Sequence, residues 1–262
     1  MSRFVVVLLG LSLCYGCANR FAARAGLNST AWTQTSYEYR ALTLGAFNVA
    51  RRNLDDALRD PTWTALDSQT PANDAEARVL SSRPVAVILD IDETVLSSLP
   101  YQAWLVKSDE SFTPGSWNAW VSEANAKAVP GALEFVRYAW DKGVTVFYLS
   151  NRSYQGELDV DKNGRIGSTE QNVALKSFTV SNLVSEGFLP QDQVSNDSSV
   201  LLRGTVGQDG KVLEGWDLAD KTARRASLSS NYRIALIMGD DLNDFVHLEG
   251  REVAEAGAVI VS

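Results

Sequence analysis

Cysteine is scarce in this sequence. The 262 residues include two cysteines, Cys14 and Cys17, and both lie close to the N-terminus. The chain beyond Cys17 therefore has no disulfide framework, and thiols do not indicate the redox state of its compartment.

Histidine is scarcer still, because His247 is the single histidine of the chain. This argues against enzymes that form a phosphohistidine and need a second histidine, and against histidine-based zinc sites. A Ser-His-Asp hydrolase would depend on this one residue, which follows an acidic cluster without a partner motif. We expect His247 to lie on the surface.

Basic residues are in deficit. The chain has 24 lysines and arginines against 32 aspartates and glutamates, which gives a formal net charge of −8. This balance argues against binding to a nucleic-acid polymer, which requires basic surface to meet phosphate groups. A small anionic substrate is compatible with it, because a local cation or a metal ion can offset the overall charge. The apolar content of 45% predicts a packed core rather than a disordered chain.

Long apolar runs are limited to residues 4–13, which are too few to span a bilayer. Arg3 precedes this run, a pattern typical of a signal peptide. Tyr15-Gly16-Cys17 is similar to the cleavage box of bacterial lipoproteins, in which the cysteine is acylated; simple cleavage after a small residue is the alternative. We predict a signal peptide over 1–17, a tether over 18–35 and export, either as an outer-membrane lipoprotein that contacts the membrane only through Cys17 or as a periplasmic protein.

Helical and extended patterns alternate over residues 36–262, which we predict to form one domain. Residues 59–82 and 99–129 show no clear period, and we interpret 59–82 as a connection. The alternation indicates an α/β fold with a parallel sheet and crossover helices. The predicted helices cover 37–58, 130–140, 170–186 and 221–228, the predicted strands cover 85–89, 144–149, 200–202 and 234–238, and 208–211 is a predicted turn.

Polar residues follow three of the predicted strands. Asp90 and Asp92 follow the first, Ser150 the second, and Asp240 the last. Because ligands of open parallel sheets bind beyond the carboxyl ends of the strands, these residues should converge. Several acids at one site favour a bound cation, and oxygen ligands suit Mg²⁺. Lys221, at the start of a predicted helix, would supply further positive charge.

These residues carry a family resemblance. The stretch Asp90-Ile91-Asp92-Glu93-Thr94 resembles the first motif of the haloacid dehalogenase (HAD) superfamily, and Ser150, Lys221 and Gly239-Asp240-Asp241-Leu242-Asn243-Asp244 match its second, third and fourth motifs. Within that superfamily, the chain from about Trp32 to Phe245 resembles the bacterial class C acid phosphatases, which include lipoprotein 5′-nucleotidases. The resemblance implies a HAD-like Rossmannoid sheet with a small, mostly helical cap, to which residues 99–129 would contribute.

The resemblance also implies an activity. The chain would be a Mg²⁺-dependent acid phosphatase that hydrolyses phosphomonoesters, including nucleoside 5′-monophosphates, through an aspartyl-phosphate. Asp90 would be the nucleophile, and Asp92 would protonate the leaving group and then deprotonate water. Asp90, Asp240 and the carbonyl of Asp92 would hold Mg²⁺.

Further roles follow from the same resemblance. Ser150 and Lys221 would bind the phosphoryl oxygens. Asp244 would lie behind them and orient Lys221 or a metal-bound water. Arg152 and Arg224 would be either site residues or structural ion pairs. Several aromatic residues would either stack on a base or form core: Trp32, Tyr37, Tyr101, Trp117 and Trp120.

A second metal site is predicted within 159–170, which fits the calcium loop of EF-hands. A helix should follow from Glu170, and Ca²⁺ there would be structural. The alternative is a polar loop. The proposed ligands are Asp159, Asp161, Asn163, the carbonyl of Arg165, and Glu170.

Two other functions stay open at this point. A phosphotransferase would use the same Asp90 nucleophile but pass the phosphoryl group to an alcohol. A non-catalytic, calcium-binding surface lipoprotein would not need the intact pair Asp90 and Asp92, which speaks against it.

Overall fold

The structure is a computed structural model that describes residues 26–159, 169–190 and 198–245. The predicted signal peptide, Cys17, residues 160–168 of the predicted calcium loop, and His247 lie outside the described residues. The predicted tether is described from residue 26, and residues 26–35 are helical. No helix within the described ranges is both long and apolar enough to cross a membrane.

Helix α1 (Tyr37–Arg59) confirms the first predicted helix. It begins after Ser36, whose hydroxyl accepts a hydrogen bond from the Tyr39 amide at 3.1 Å and so replaces a missing intrahelical partner. Its inward face buries apolar residues at helical spacing, which pack against the main core. These residues are Phe47, Ala50, Leu54 and Ala57.

The segment that we interpreted as a connection contains a further helix, α2 (Asp74–Ser81), after a short 3₁₀ turn at Asp67–Gln69. The prediction for 59–82 was therefore wrong in part. Asn73 caps α2 by accepting from two backbone amides, but Leu80 is the one residue that the helix buries. A helix with a single buried apolar residue leaves no period in the sequence.

Within the described residues, four parallel strands form the central sheet, in the order β7-β4-β1-β8. They are β1 (Val85–Leu89), β4 (Thr145–Ser153), β7 (Val200–Arg203) and β8 (Arg233–Met238). Strand β1 lies in the interior of the sheet and pairs with both β4 and β8. Val87 and Leu89 belong to the larger core cluster and Ala86 and Ile88 to the smaller one, so both faces of β1 are buried. This confirms the predicted α/β architecture.

Alongside α1, the sheet is covered by α5 (Ala132–Asp141), α6 (Leu175–Ser185) and α7 (Thr222–Ser229). Helices α1, α5 and α6 contribute to the larger cluster, and Leu228 of α7 belongs to the smaller one. The predicted turn at 208–211 is confirmed: Val206 and Val212 form a bridge, and Gly210 adopts a φ of 76° there.

Residues 99–129 form helices α3 (Leu99–Ser108) and α4 (Pro114–Ser122) and the short strand β3 (Lys127–Ala128), which pairs with β2 (Leu96–Ser97). Five rings pack together in this segment, with Tyr101 at their centre. The rings are Tyr101, Trp104, Phe112, Trp117 and Trp120. Tyr101 is 2% exposed, so it is core, whereas Trp32 and Tyr37 are exposed.

One predicted helix was wrong over its first turn. Residues Thr169–Val173 form strand β6, which pairs antiparallel with β5 (Gly156–Asp159), and α6 begins only at Leu175. The segment that follows the predicted calcium loop is therefore extended. An EF-hand would require a helix there. Its residues Thr-Glu-Gln-Asn-Val lack a strong preference, so pairing with β5 decides their conformation.

Candidate active site

The predicted site residues converge at the carboxyl ends of the central strands. Asp90 directly follows β1, and its amide donates to the carbonyl of Met238, the last residue of β8, at 2.9 Å. Carboxylate oxygens of Asp90, Asp240 and Asp244 lie within 4.8 Å of one another. The parallel pairing of β1 with β8 thus brings together acids that are 150 residues apart in the chain.

Lys221 lies between two of these acids. It is 3% exposed, and its Nζ donates to both Asp90 and Asp244. The other oxygen of Asp244 accepts the Asp241 amide at 3.1 Å, which fixes the carboxylate within the 3₁₀ turn Leu242–Asp244. A Cβ at Gly239 would lie 2.0 Å from Asp244 Oδ2, so this position requires glycine for the carboxylate to approach Lys221. Asp244 is therefore in direct contact with Lys221, the contact that one of its two predicted roles requires.

Burial makes ionisation of Asp90 and Asp240 unfavourable. It raises the pKa of Asp90 to about 8; Lys221 opposes the shift, while the nearby Asp244 and Asp92 add to it. Asp240 is more exposed, but its partial burial also raises its pKa, to about 6, with Asp244 adding repulsion. One lysine thus faces more carboxylates than it can neutralise. An all-oxygen cluster with an excess of negative charge fits a hard divalent cation, so these residues suit a bound metal.

The metal-free protein should lose stability as pH rises from about 4 to about 8. In that range native Asp90, with its pKa near 8, keeps a proton that the unfolded chain, with a pKa near 3.8, has released. The native state binds more protons, so the free energy of unfolding falls with pH. Urea unfolding in a chelator would measure this slope. Asp90→Asn should flatten it, and equal slopes for the two proteins would contradict the shift.

Asp92 is held by an arginine. Arg152 Nε donates to Asp92 Oδ1 at 3.1 Å and to Oδ2 at 3.0 Å, and Nη2 donates to Oδ1 at 2.7 Å. The Arg152 side chain is 1% exposed and that of Asp92 is 23% exposed. Arg152 was predicted to be either a site residue or part of a structural ion pair. The structure shows an ion pair, and its partner, Asp92, is itself a predicted site residue.

Ser150 lies next to this ion pair and is hydrogen-bonded to both Arg152 and Arg224. Ser150 is 1% exposed, and its Oγ accepts the Arg152 amide at 3.1 Å. Arg224 Nη1 donates to the Ser150 carbonyl and Nη2 to Asn151 Oδ1, each at 2.6 Å. Burial, and then the charges of Arg203 and Arg225, lower the pKa of Arg224 to about 10. Arg224 thus links α7 to the carboxyl-terminal part of β4 by hydrogen bonds.

Glu93 shapes the loop after Asp92, a role that was not predicted from the sequence. Its φ is 56°, a left-handed conformation that is uncommon outside glycine. Its carboxylate accepts the Ser98 amide at 2.6 Å and the Ser98 hydroxyl at 2.7 Å, while its own amide donates to Leu96. This closes the loop that presents Asp92. Neither the left-handed residue nor its partner gives a local sequence signal.

The remaining predicted site residues are only partly described. Asp159 ends β5 and Glu170 lies on β6, where it pairs with Leu158. Asp161, Asn163, Arg165 and Cys17 lie outside the described residues. Strands β5 and β6 contact residues 99–129, which we call the aromatic segment. Asn118 of α4 donates a hydrogen bond to the Glu157 carbonyl at 2.9 Å.

Known proteins resemble this chain in sequence. It matches the HAD superfamily, subfamily IIIB (acid phosphatase), over residues 21–162 and 168–258. It is 28% identical over 160 residues to acid phosphatase 1 of Solanum lycopersicum, a match that covers 61% of this chain and 51% of the tomato protein, so the match spans about half of that relative. It is 25% identical over 193 residues to vegetative storage protein 2 of Arabidopsis thaliana, covering 63% of this chain and 72% of that protein.

A solved structure resembles the fold. The class C acid phosphatase of Bacillus anthracis matches with a TM-score of 0.62 and 27% sequence identity, over 91% of this chain and 78% of that chain. One of the two structures of that enzyme has tungstate bound. These matches confirm the resemblance seen in the motifs. The chain belongs to subfamily IIIB of the HAD superfamily, the acid phosphatases, and so to a family of phosphomonoesterases.

Proposed function

We propose that this protein is a Mg²⁺-dependent acid phosphatase that hydrolyses phosphomonoesters through an aspartyl-phosphate on Asp90. The observation that carries the proposal is the environment of Asp90. It is buried at the end of β1, hydrogen-bonded to Lys221, and next to the carboxylates of Asp240 and Asp244. A carboxylate used only for structure would not require a buried lysine together with two further acids.

The two steps of the reaction follow from this arrangement. An Asp90 oxygen attacks phosphorus, and the ester oxygen leaves with a proton from Asp92, which gives an acyl-phosphate and an alcohol. Asp92 then takes a proton from water as the water oxygen attacks the same phosphorus, which releases phosphate and restores Asp90. Lys221 and the Ser150 hydroxyl stabilise the charge that develops on the phosphoryl oxygens.

Magnesium fits the same cluster. Asp90, Asp240 and the carbonyl of Asp92 would hold it, and when bound it would offset the negative charge of the carboxylates and of the phosphoryl group. Asp244 contributes through Lys221, to which its Oδ1 is bonded. The oxyanion in the tungstate-bound relative supports an anion site in this fold.

Finer features of the proposal come from the sequence resemblance. Nucleoside 5′-monophosphates are proposed as substrates, and no polymeric nucleic acid is expected. Export with a lipid anchor at Cys17 also stays a prediction, as does Ca²⁺ at 159–170, although β6 replaces the helix that an EF-hand would place there. No second function is favoured by the described residues.

The test is a phosphate-release screen over phosphomonoesters, with and without Mg²⁺ and with glycerol as an acceptor. We expect release of inorganic phosphate from nucleoside monophosphates and aryl phosphates only when Mg²⁺ is present. Glycerol phosphate as the main product would show a phosphotransferase instead. No turnover of any ester would contradict the proposal.

A further inference from the structure

Arg152 distinguishes between the two oxygens of Asp92. Oδ1 accepts the Nη2–H at 2.7 Å and shares the Nε–H at 3.1 Å, whereas among the described residues Oδ2 accepts only that shared Nε–H, at 3.0 Å. A carboxylate oxygen has two lone pairs. Both lone pairs of Oδ1 are therefore engaged by the guanidinium, and Oδ2 keeps one that is free to carry a proton.

Arg152 is itself held in place. It is 2% exposed, its own amide is bonded to Ser150 Oγ, and its guanidinium carbon lies 5.6 Å from the ring centre of Trp120. Trp120 in turn packs on Trp117, with ring centres 4.9 Å apart, and on Tyr101. A buried guanidinium over an aromatic face, with its fork on a carboxylate, has little freedom to turn. The aromatic segment thus fixes the orientation of Asp92.

The geometry points to Arg152 as a positioning residue that confines the transferable proton of Asp92 to Oδ2. This inference rests on the proposed function. As the bond between phosphorus and the ester oxygen breaks, the Oδ2–H proton passes to that oxygen, and the bonding pair stays on Oδ2. When water attacks the acyl-phosphate, its proton returns to Oδ2. Oδ1 stays on the guanidinium in both steps, so Asp92 need not turn between them.

The test compares leaving groups. In Arg152→Lys the positive charge is kept but the fork is lost, so proton delivery should suffer while phosphate binding should not. The kcat/KM for an alkyl phosphate, whose leaving group needs the proton, should fall about 100-fold. For p-nitrophenyl phosphate, whose leaving group departs without one, it should fall about fivefold or less. Turnover of p-nitrophenyl phosphate in the same preparation also shows that the variant is folded.

Two comparisons make the result specific. The double variant Arg152→Lys, Asp92→Asn should lose no more activity than Asp92→Asn alone, because both substitutions remove the same function, proton transfer by Asp92. Arg233→Lys is the matched control: Arg233 is also buried, but it donates to the Ala57, Asp60 and Trp63 carbonyls at the opposite end of β8. It should lower thermal stability without altering the ratio between the two substrates.

Equal losses for both substrates in Arg152→Lys, or additive losses in the double variant, would overturn the inference. Asp90→Asn measured alongside separates this failure from that of the proposed function. If Asp90→Asn is inactive on both substrates while Arg152→Lys shows no leaving-group dependence, only the role of Arg152 is wrong. If Asp90→Asn turns over both substrates, the proposed function itself fails.

Discussion

Replacing Asp90 by asparagine should lower phosphate release by more than about 10⁴-fold without unfolding the protein. Asparagine keeps the shape of the side chain but cannot form the acyl-phosphate. It also removes a buried group whose pKa is raised to about 8, so the metal-free variant should be at least as stable as the native protein at neutral pH. Steady-state phosphate release and thermal unfolding of the same preparations measure the two effects.

The control for this prediction is Asp60→Asn. This substitution makes the same chemical change at the opposite end of the sheet. Asp60 is the C-cap of α1, and its carbonyl accepts a hydrogen bond from Arg233. It should leave turnover unchanged. A second readout is acid-quenched mass spectrometry, which should find one phosphoryl group on the peptide that contains Asp90. A phosphorylated peptide from another part of the chain would show that the nucleophile is misassigned.

Removing the metal should have the next largest effect. Excess chelator should stop hydrolysis, and Mg²⁺ should restore it in the native protein. In Asp240→Ala, activity at the same Mg²⁺ concentration should be lower by about 10³-fold, since a metal that stabilises developing charge contributes several kcal/mol. Asp240 is suited to this role because it is more exposed than Asp90 and Asp244, yet close to both.

Calorimetric titration of Mg²⁺ separates a binding defect from a purely chemical one. The Asp240→Ala variant should bind Mg²⁺ more weakly than the native protein does. Asp74→Ala, which changes an aspartate in the first turn of α2, should bind Mg²⁺ normally. Full activity of the native protein in excess chelator would rule out the metal.

The central strands were the most predictable part of this molecule, although β4 extends to Ser153 and so includes Ser150, which was predicted to follow it. Strand β1 is found at the predicted residues, because a continuous apolar run bounded by polar residues has one low-energy place in an α/β fold, the interior of the sheet. That placement alone positions Asp90. Lys221 and Asp240 follow because helix and strand termini in such folds meet at one edge.

Other features depend on contacts between distant residues and leave no local signal. The conformation of Thr169–Val173 is decided by pairing with β5. The partner of Arg152 lies 60 residues earlier in the chain, so its fork on Asp92 could not be distinguished from a structural ion pair. Helix α2 was missed because it buries a single residue, Leu80.

The position of β1 also determines when the site can exist during folding. Both neighbours of β1 come later in the chain: β4 begins at Thr145 and β8 at Arg233. Strands this far apart in sequence pair slowly, because closing the long loop between them costs entropy before their contacts can stabilise the pair. As the chain emerges from the ribosome, Asp90 has no anchoring carbonyl from Met238 and no Lys221 beside it until almost all described residues have been made. The surroundings of the proposed nucleophile are thus completed late, so an incomplete chain carries Asp90 without the contacts that its proposed chemistry requires.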